Sequence, residues 1–174
     1  MTSSPFRGLI KSLTQAFDWI CWIAFCFSGI CLFLLVFLTV EQVIARYFFQ
    51  ASSVALQELE WHLFGAAIML SLAHTLKIEG HVRVDFLYGK FSSSVKNAIN
   101  SLGLFLLIPT CFYLSLFCFE FALDSYQVDT VAPSPYLPWV IRGESSPDPG
   151  GLPARWLLQV TIPIGLVLLA LQAT

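Results

Sequence analysis

Glu58 and His62 stand four residues apart in a largely apolar stretch, so on a helix a carboxylate and an imidazole share one face. A metal site or a proton relay uses that pairing, and an ionisable group in an apolar span needs a partner to offset its desolvation. A second cluster, "HVRVD", puts His81, Arg83 and Asp85 on alternate positions, so an extended strip aims all three one way and Val82 and Val84 the other. Its plain reading is a local salt bridge that shapes a turn, worth little where water reaches it; a contact to another subunit is the alternative. The Glu58 and His62 pair lacks the complement that a metal or a haem requires. His74 lies well round the helix from His62, His81 falls beyond the far end of the stretch, and no second helix supplies a matching His or carboxylate pair. A haem- or metal-binding redox subunit is therefore the rival reading. No Ser/His/Asp arrangement, phosphate-cradling glycine loop or zinc-protease motif appears, so no enzyme activity and no cofactor are expected. Cys21, Cys26, Cys31, Cys111 and Cys118 match neither a CxxC pair nor a zinc framework and read as small packing residues.

The elements that must carry these residues follow from how the apolar residues are distributed. The chain of 174 residues is 57% hydrophobic, and those residues run together where a soluble core would alternate them with polar ones. Residues 19–40 contain no charge and reach about 33 Å as a helix, enough for a bilayer core of about 30 Å. This run is too long for a signal-peptide core and is read as a retained anchor. Further spans are expected over 54–76, 98–119 and 156–174. Glu58, Glu60 and His62 occupy the first turns of the second, and Pro109 in mid-span predicts a kink in the third. The fourth is still apolar at the last residue, so its natural end is expected to lie further on.

Orientation follows from the basic residues. Arg7, Lys11, Lys77, Arg83, Lys90 and Lys96 lie on one side and Arg46, Arg142 and Arg155 on the other, which puts both termini in the cytoplasm. Within the cytoplasmic connection at about 78–96, Leu87, Phe91, Val95, Ala98 and Leu102 recur at helical steps behind Asp85 as an N-cap. They predict a short amphipathic helix at the inner interface, with Ser92 to Ser94 as the bend into the third span. The outer connection, 120–155, is rich in Pro and Gly and reads as an extended loop; Tyr136, Leu137, Trp139, Val140 and Ile141 favour one that packs down. Arg46, just beyond the first span, is the natural partner for Glu58 within this chain, in an ion pair tying the first span to the second; a contact from Glu58 to a separate subunit is the alternative. A net charge of −2 and the lack of a basic run with interleaved aromatics exclude a nucleic-acid partner.

The ordered set "RYFF", "QELEWHLFGAAIMLSLAHTLKIEGHVRVDFLYGKF" and a third span resembles the small, Q-type membrane subunit of tripartite ATP-independent periplasmic (TRAP) transporters. Its most specific piece is the His-Val-Arg-Val-Asp run between spans two and three, with an Arg-Tyr pair after span one and a Glu early in span two. The resemblance implies one all-α integral membrane domain of four transmembrane helices, with a short amphipathic helix between spans two and three and a long outer loop between spans three and four. It also implies a bacterial inner-membrane location and partnership with a large multi-span subunit and a periplasmic substrate-binding protein. In that picture the large subunit carries the sodium ions and the substrate site, and the small one braces it within the lipid bilayer. Arg46, Glu58, His81, Arg83 and Asp85 match the family pattern as interface or structural positions, with no catalytic, cofactor or metal role. The "SSPDPGGLPARW" tail resembles members associated with organic-acid substrates. A free-standing four-span adaptor is the remaining alternative.

Overall fold

The structure is a computed structural model that describes residues 5–78, 90–128 and 143–173. Every regular element among the described residues is helical: α1 Pro5–Phe49, α2 Val54–Lys77, α3 Ser93–Gln127, α4 Trp156–Gln159 and α5 Thr161–Gln172. The stretches Ile10–Phe49 and Ser93–Gln127 are long and apolar enough to cross a membrane. The other two helical segments differ. α2 is apolar in the middle but carries Glu58, Glu60 and His62 at one end and His74 and Lys77 at the other, while Trp156–Gln172 is shorter.

α1 runs well past the expected 19–40. Its 45 residues extend about 68 Å, so both ends pass beyond a bilayer core. The helix stops where Gln50 takes a left-handed conformation (φ 51°) and the Ala51 N–H turns back to the Ala45 carbonyl at 3.2 Å. Arg46 therefore belongs to the last turn of α1 and not to the connection after it. α2 begins four residues later, close to the expected 54–76, and runs antiparallel to α1.

Three polar contacts share one register along that pair. Asp18 meets Lys77 at 2.8 Å, the Ser28 hydroxyl donates to the Ala67 carbonyl at 2.7 Å, and the Ser53 N–H reaches Gln42 Oε1 at 3.5 Å. Each advance along α1 is matched by an equal retreat along α2, so the two helices are fastened at both ends and in the middle. Between these points lies a small-residue core of Cys31, Leu63, Ala66 and Ala67, with Leu35, Leu38 and Leu59 packed on it. Small side chains let backbones approach closely, which is how helices adhere where lipid removes the hydrophobic drive.

Cys21, Ser28, Cys31 and Gln42 of α1 are buried and Ala24, Leu35, Leu38 and Ala45 half-buried, at alternating steps of three and four. α3 buries Cys111, Ser115, Ala122 and Ser125, with Cys118 half-buried, at the same alternation. A 3.5-residue period is the seam of a left-handed helix pair, in which one narrow stripe faces the partner and the rest of the helix faces away. Extended helix contacts run α1 to α2, α2 to α5 and α5 to α3, so α1 and α3 are the outer members of a row and α2 and α5 the inner ones. At the α2/α5 contact a Cβ on Gly165 would stand 2.7 Å from the Met69 carbonyl carbon and collide with its oxygen, so only glycine fits.

α3 continues eight residues past the expected end of the third span, to Gln127, and starts at Ser93, so the expected bend over Ser92 to Ser94 narrows to Ser92 in an extended N-cap conformation. The helix is unbroken through Pro109. The expected fourth span is in two pieces, with Val160 between α4 and α5, because Pro163 has no N–H to offer the Gln159 carbonyl four residues back. Of the interfacial helix expected behind Asp85, residues 79–89 lie outside the described residues, while Val95, Ala98 and Leu102 belong to α3 itself; the aromatic patch from Tyr136 to Ile141 also lies outside them.

Gly165→Val should lower stability by about 1–3 kcal/mol through overpacking against α2, whereas Gly103→Ala, whose added Cβ meets nothing within 4 Å, should leave it unchanged. Thermal unfolding of the two variants in the same detergent checks the difference.

Candidate functional site

Glu58 lies in the second turn of α2, and what it meets is a folded loop. Its Oε2 accepts the Leu152 N–H at 2.8 Å, and its Oε1 accepts the Ser146 hydroxyl in a short bond. The segment Gly143–Arg155 that supplies both donors closes on itself. The Ser146 N–H donates to the Leu152 carbonyl at 3.0 Å, the Gly151 N–H to the Asp148 carbonyl at 3.0 Å, and the Asp148 N–H to Ser146 Oγ at 3.2 Å. Ser146 thus accepts from within its own loop while donating to α2. Prolines at 147 and 149 narrow the backbone choices, and the left-handed Gly150 (φ 76°) turns the chain. A side chain on Gly151 would collide with Ser146.

The same loop is tied to the end of α3. The Glu144 N–H donates to the Ser125 carbonyl at 2.7 Å, and the Arg155 N–H returns to the Glu144 carbonyl at 3.2 Å. Tyr126 and Trp156 meet edge to face with centroids 5.0 Å apart. Gly143 (φ 121°) lies so close under the Trp156 ring that a Cβ would stand 2.5 Å from it. One segment therefore joins the outer ends of α2, α3 and α4, and the Glu58 carboxylate is its anchor.

Two corrections follow. The outer connection is not extended throughout 120–155: its first eight residues continue α3, and Gly143–Arg155 folds down onto the helices, because the turn chemistry of "SSPDPGG" is completed by a carboxylate from another element. Arg46 is not the partner of Glu58. It is exposed on α1 and makes no ion pair among the described residues, while both Glu58 oxygens are taken by the loop. The basic residue within electrostatic reach of Glu58 is Arg155, with His62 also near.

The i, i+4 relation of Glu58 and His62 holds, but the imidazole does not meet the carboxylate. His62 Nδ1 is 2.7 Å from the Glu58 backbone carbonyl, which places the ring proton there. A carboxylate with both oxygens engaged and a histidine tied to the backbone make a structural lock and not an acid–base pair. Among the described residues no group of three or more His, Cys, Asp and Glu side chains converges as metal ligands would. His81, Arg83 and Asp85 lie outside the described residues.

Sequence reasoning did not find Ser146 and the Leu152 N–H as partners of Glu58. The signal is the Pro, Asp and Gly density of residues 147–151, which marks a tight turn but does not say where that turn docks. At the opposite end of the α1/α2 pair, Asp18 and Lys77 form an ion pair that leaves both side chains partly open to solvent and so contributes at most about 1 kcal/mol.

Residues 35–174 match the model of a family described as tripartite ATP-independent periplasmic transporters, DctQ component. Comparison with curated proteins and with solved structures gave no match.

Glu58→Ala should speed hydrogen exchange at the Leu152 amide by about tenfold or more, because the loss of a hydrogen bond to a charged acceptor frees the loop. Arg46→Ala should leave that exchange rate unchanged. Amide exchange read by mass spectrometry on the purified chain distinguishes them.

Proposed function

Proceeding from the premise that this chain belongs to the DctQ-component family of TRAP transporters, we propose that it is the non-catalytic small permease subunit of a sodium-coupled, binding-protein-dependent importer in a bacterial inner membrane. In this reading it has four spans, over α1, α2, α3 and the combined α4 and α5, with both termini in the cytoplasm. The connection after α2 lies at the inner interface and the loop after α3 faces the periplasm. The substrate and the sodium ions belong to the large subunit, and organic acids are the substrate class.

The observation that carries this reading is the seam pattern. α1 and α3 are apolar around their circumference yet each buries a single stripe, so Phe33, Phe37, Phe105 and Phe112 project outward with no partner from this chain among the described residues. A helix apolar all round belongs in lipid or against further helices. A row of helices apolar on both sides is a brace, able to give one side to lipid and the other to a larger membrane neighbour. The locked periplasmic loop offers a rigid surface on which a soluble binding protein could dock.

Two measurements test this. A tagged chain expressed with a large TRAP subunit and purified in mild detergent should bring that subunit with it; a large subunit that separates cleanly would favour the free-standing adaptor. The double variant Glu58→Ala/Ser146→Ala should reduce uptake in proteoliposomes while co-purification is kept, and unchanged uptake would remove the docking role of the loop.

A further inference from the structure

On the α2 side of α4 and α5, a groove of about 260 Å³ opens between α2 and α3. Arg155 stands at its mouth, His62 and Gln159 lie about a turn further in beside Leu158, and Gly65, Thr161 and Ile162 form the deeper wall, where the Thr161 hydroxyl is already bonded to the Leu158 carbonyl at 2.6 Å. Two of its polar groups are unsatisfied. Gln159 is 7% exposed and its Oε1 is buried with no hydrogen-bond partner among the described residues, and the same is true of Arg155 Nε. Buried polar groups are nearly always paired, so two orphans lining one groove mark a place where a ligand completes the bonding. Glu58 is within electrostatic reach of Arg155 but does not bond its Nε; the carboxylate is directed to Ser146 and Leu152. His62 has given its Nδ1 to the Glu58 carbonyl and contributes only its remaining ring nitrogen.

We propose that this groove binds a membrane phospholipid, with the phosphodiester at Arg155 and Gln159 and an acyl chain laid along Gly65 and Ile162. The guanidinium is a fork of fixed donors suited to a phosphate, and the Gln159 amide, turned about its last bond, offers its NH2 beside it. The succession from Arg155 at the mouth to Gly65 and Ile162 within follows that of a lipid from headgroup to chain. Trp61, 77% exposed at the rim, has the amphipathic ring that settles at headgroup level. Among the anions present at that depth, the phosphodiester is the one that arrives with an apolar tail matching the deeper wall. The proposal rests on the membrane location of the chain and is independent of the bracing and docking roles.

The full chain, purified in mild detergent with any permease subunit that accompanies it, is titrated with palmitoyl-oleoyl-phosphatidylglycerol and read by native mass spectrometry. Dioleoylglycerol, which lacks the phosphate, and inorganic phosphate, which lacks the tail, serve as controls. Phosphatidylglycerol should bind one per chain, and dioleoylglycerol at least about tenfold more weakly, the size of one charge-assisted hydrogen bond. Inorganic phosphate should not compete. Arg155→Gln should weaken phosphatidylglycerol binding by a similar factor. Gly65→Phe, whose side chain leaves a position with no atom within 4 Å of a Cβ and enters the groove, should do the same with the charge intact; if Arg155→Gln does not fold, Gly65→Phe decides alone. Equal binding of the two lipids, wild-type binding by both variants, displacement by inorganic phosphate, or variants that shed a permease subunit while lipid binding is unchanged would each overturn the proposal.

Discussion

The close approach of α2 to a neighbour on each side is the constraint on which the other features depend. On one side Ala66 and Ala67 meet Cys31 and accept the Ser28 hydroxyl. On the other, the Met69 backbone lies where a side chain at position 165 would have to be. A bilayer core has no water to squeeze out between helices, so contact must be won by packing density and by the occasional hydrogen bond. Small residues at these positions supply both. Had α2 stood farther from α5 by the width of one larger side chain, Glu58 would not reach Ser146 and Leu152, and the loop would lose its anchor.

That central position explains why the remaining helices can be so open. α1 and α3 each need only a seam, since their role within the chain is to flank a pair already held together. Their seams consist largely of Cys, Ser, Ala and Gly-sized contacts, and their large aromatics are left outside. The polarity of the molecule is correspondingly pushed to its two ends. Asp18 and Lys77 close one end of the α1/α2 pair, and the Glu58 lock closes the other end of α2. Both lie where water can still reach part of the charge, which lets a carboxylate and an ammonium be used without the full cost of burial.

The outer lock has a functional logic consistent with a subunit of a TRAP transporter. Ser146 and Leu152 hold the loop to α2, while Glu144, Gly143 and Trp156 hold it to the end of α3. A loop fixed at both edges presents the same surface whatever an attached subunit is doing. The groove beside it is lined by Arg155, which the lock itself positions, and by Gln159 of α4. Its lipid, if held there, would set the depth of this end of the molecule.

Much of this could be read along the chain because hydrophobic length and polar interruption are local properties. Residues 54–76 became α2 almost unchanged, and the uncharged run at 19–40 lies wholly inside α1, since backbone groups in an apolar setting must bond within their own helix. The small residues of α3 at alternating steps of three and four were also there to be read. What sequence could not assign was pairing. Arg46 and Glu58 are the attractive opposite charges in linear order, yet Arg46 stays exposed in the last turn of α1, and Glu58 takes its donors from residues 88 and 94 positions later. Partner choice at such separation is decided by which helix backbones can touch, and that depended on Gly165 and Ala67, residues whose importance is the space they leave empty.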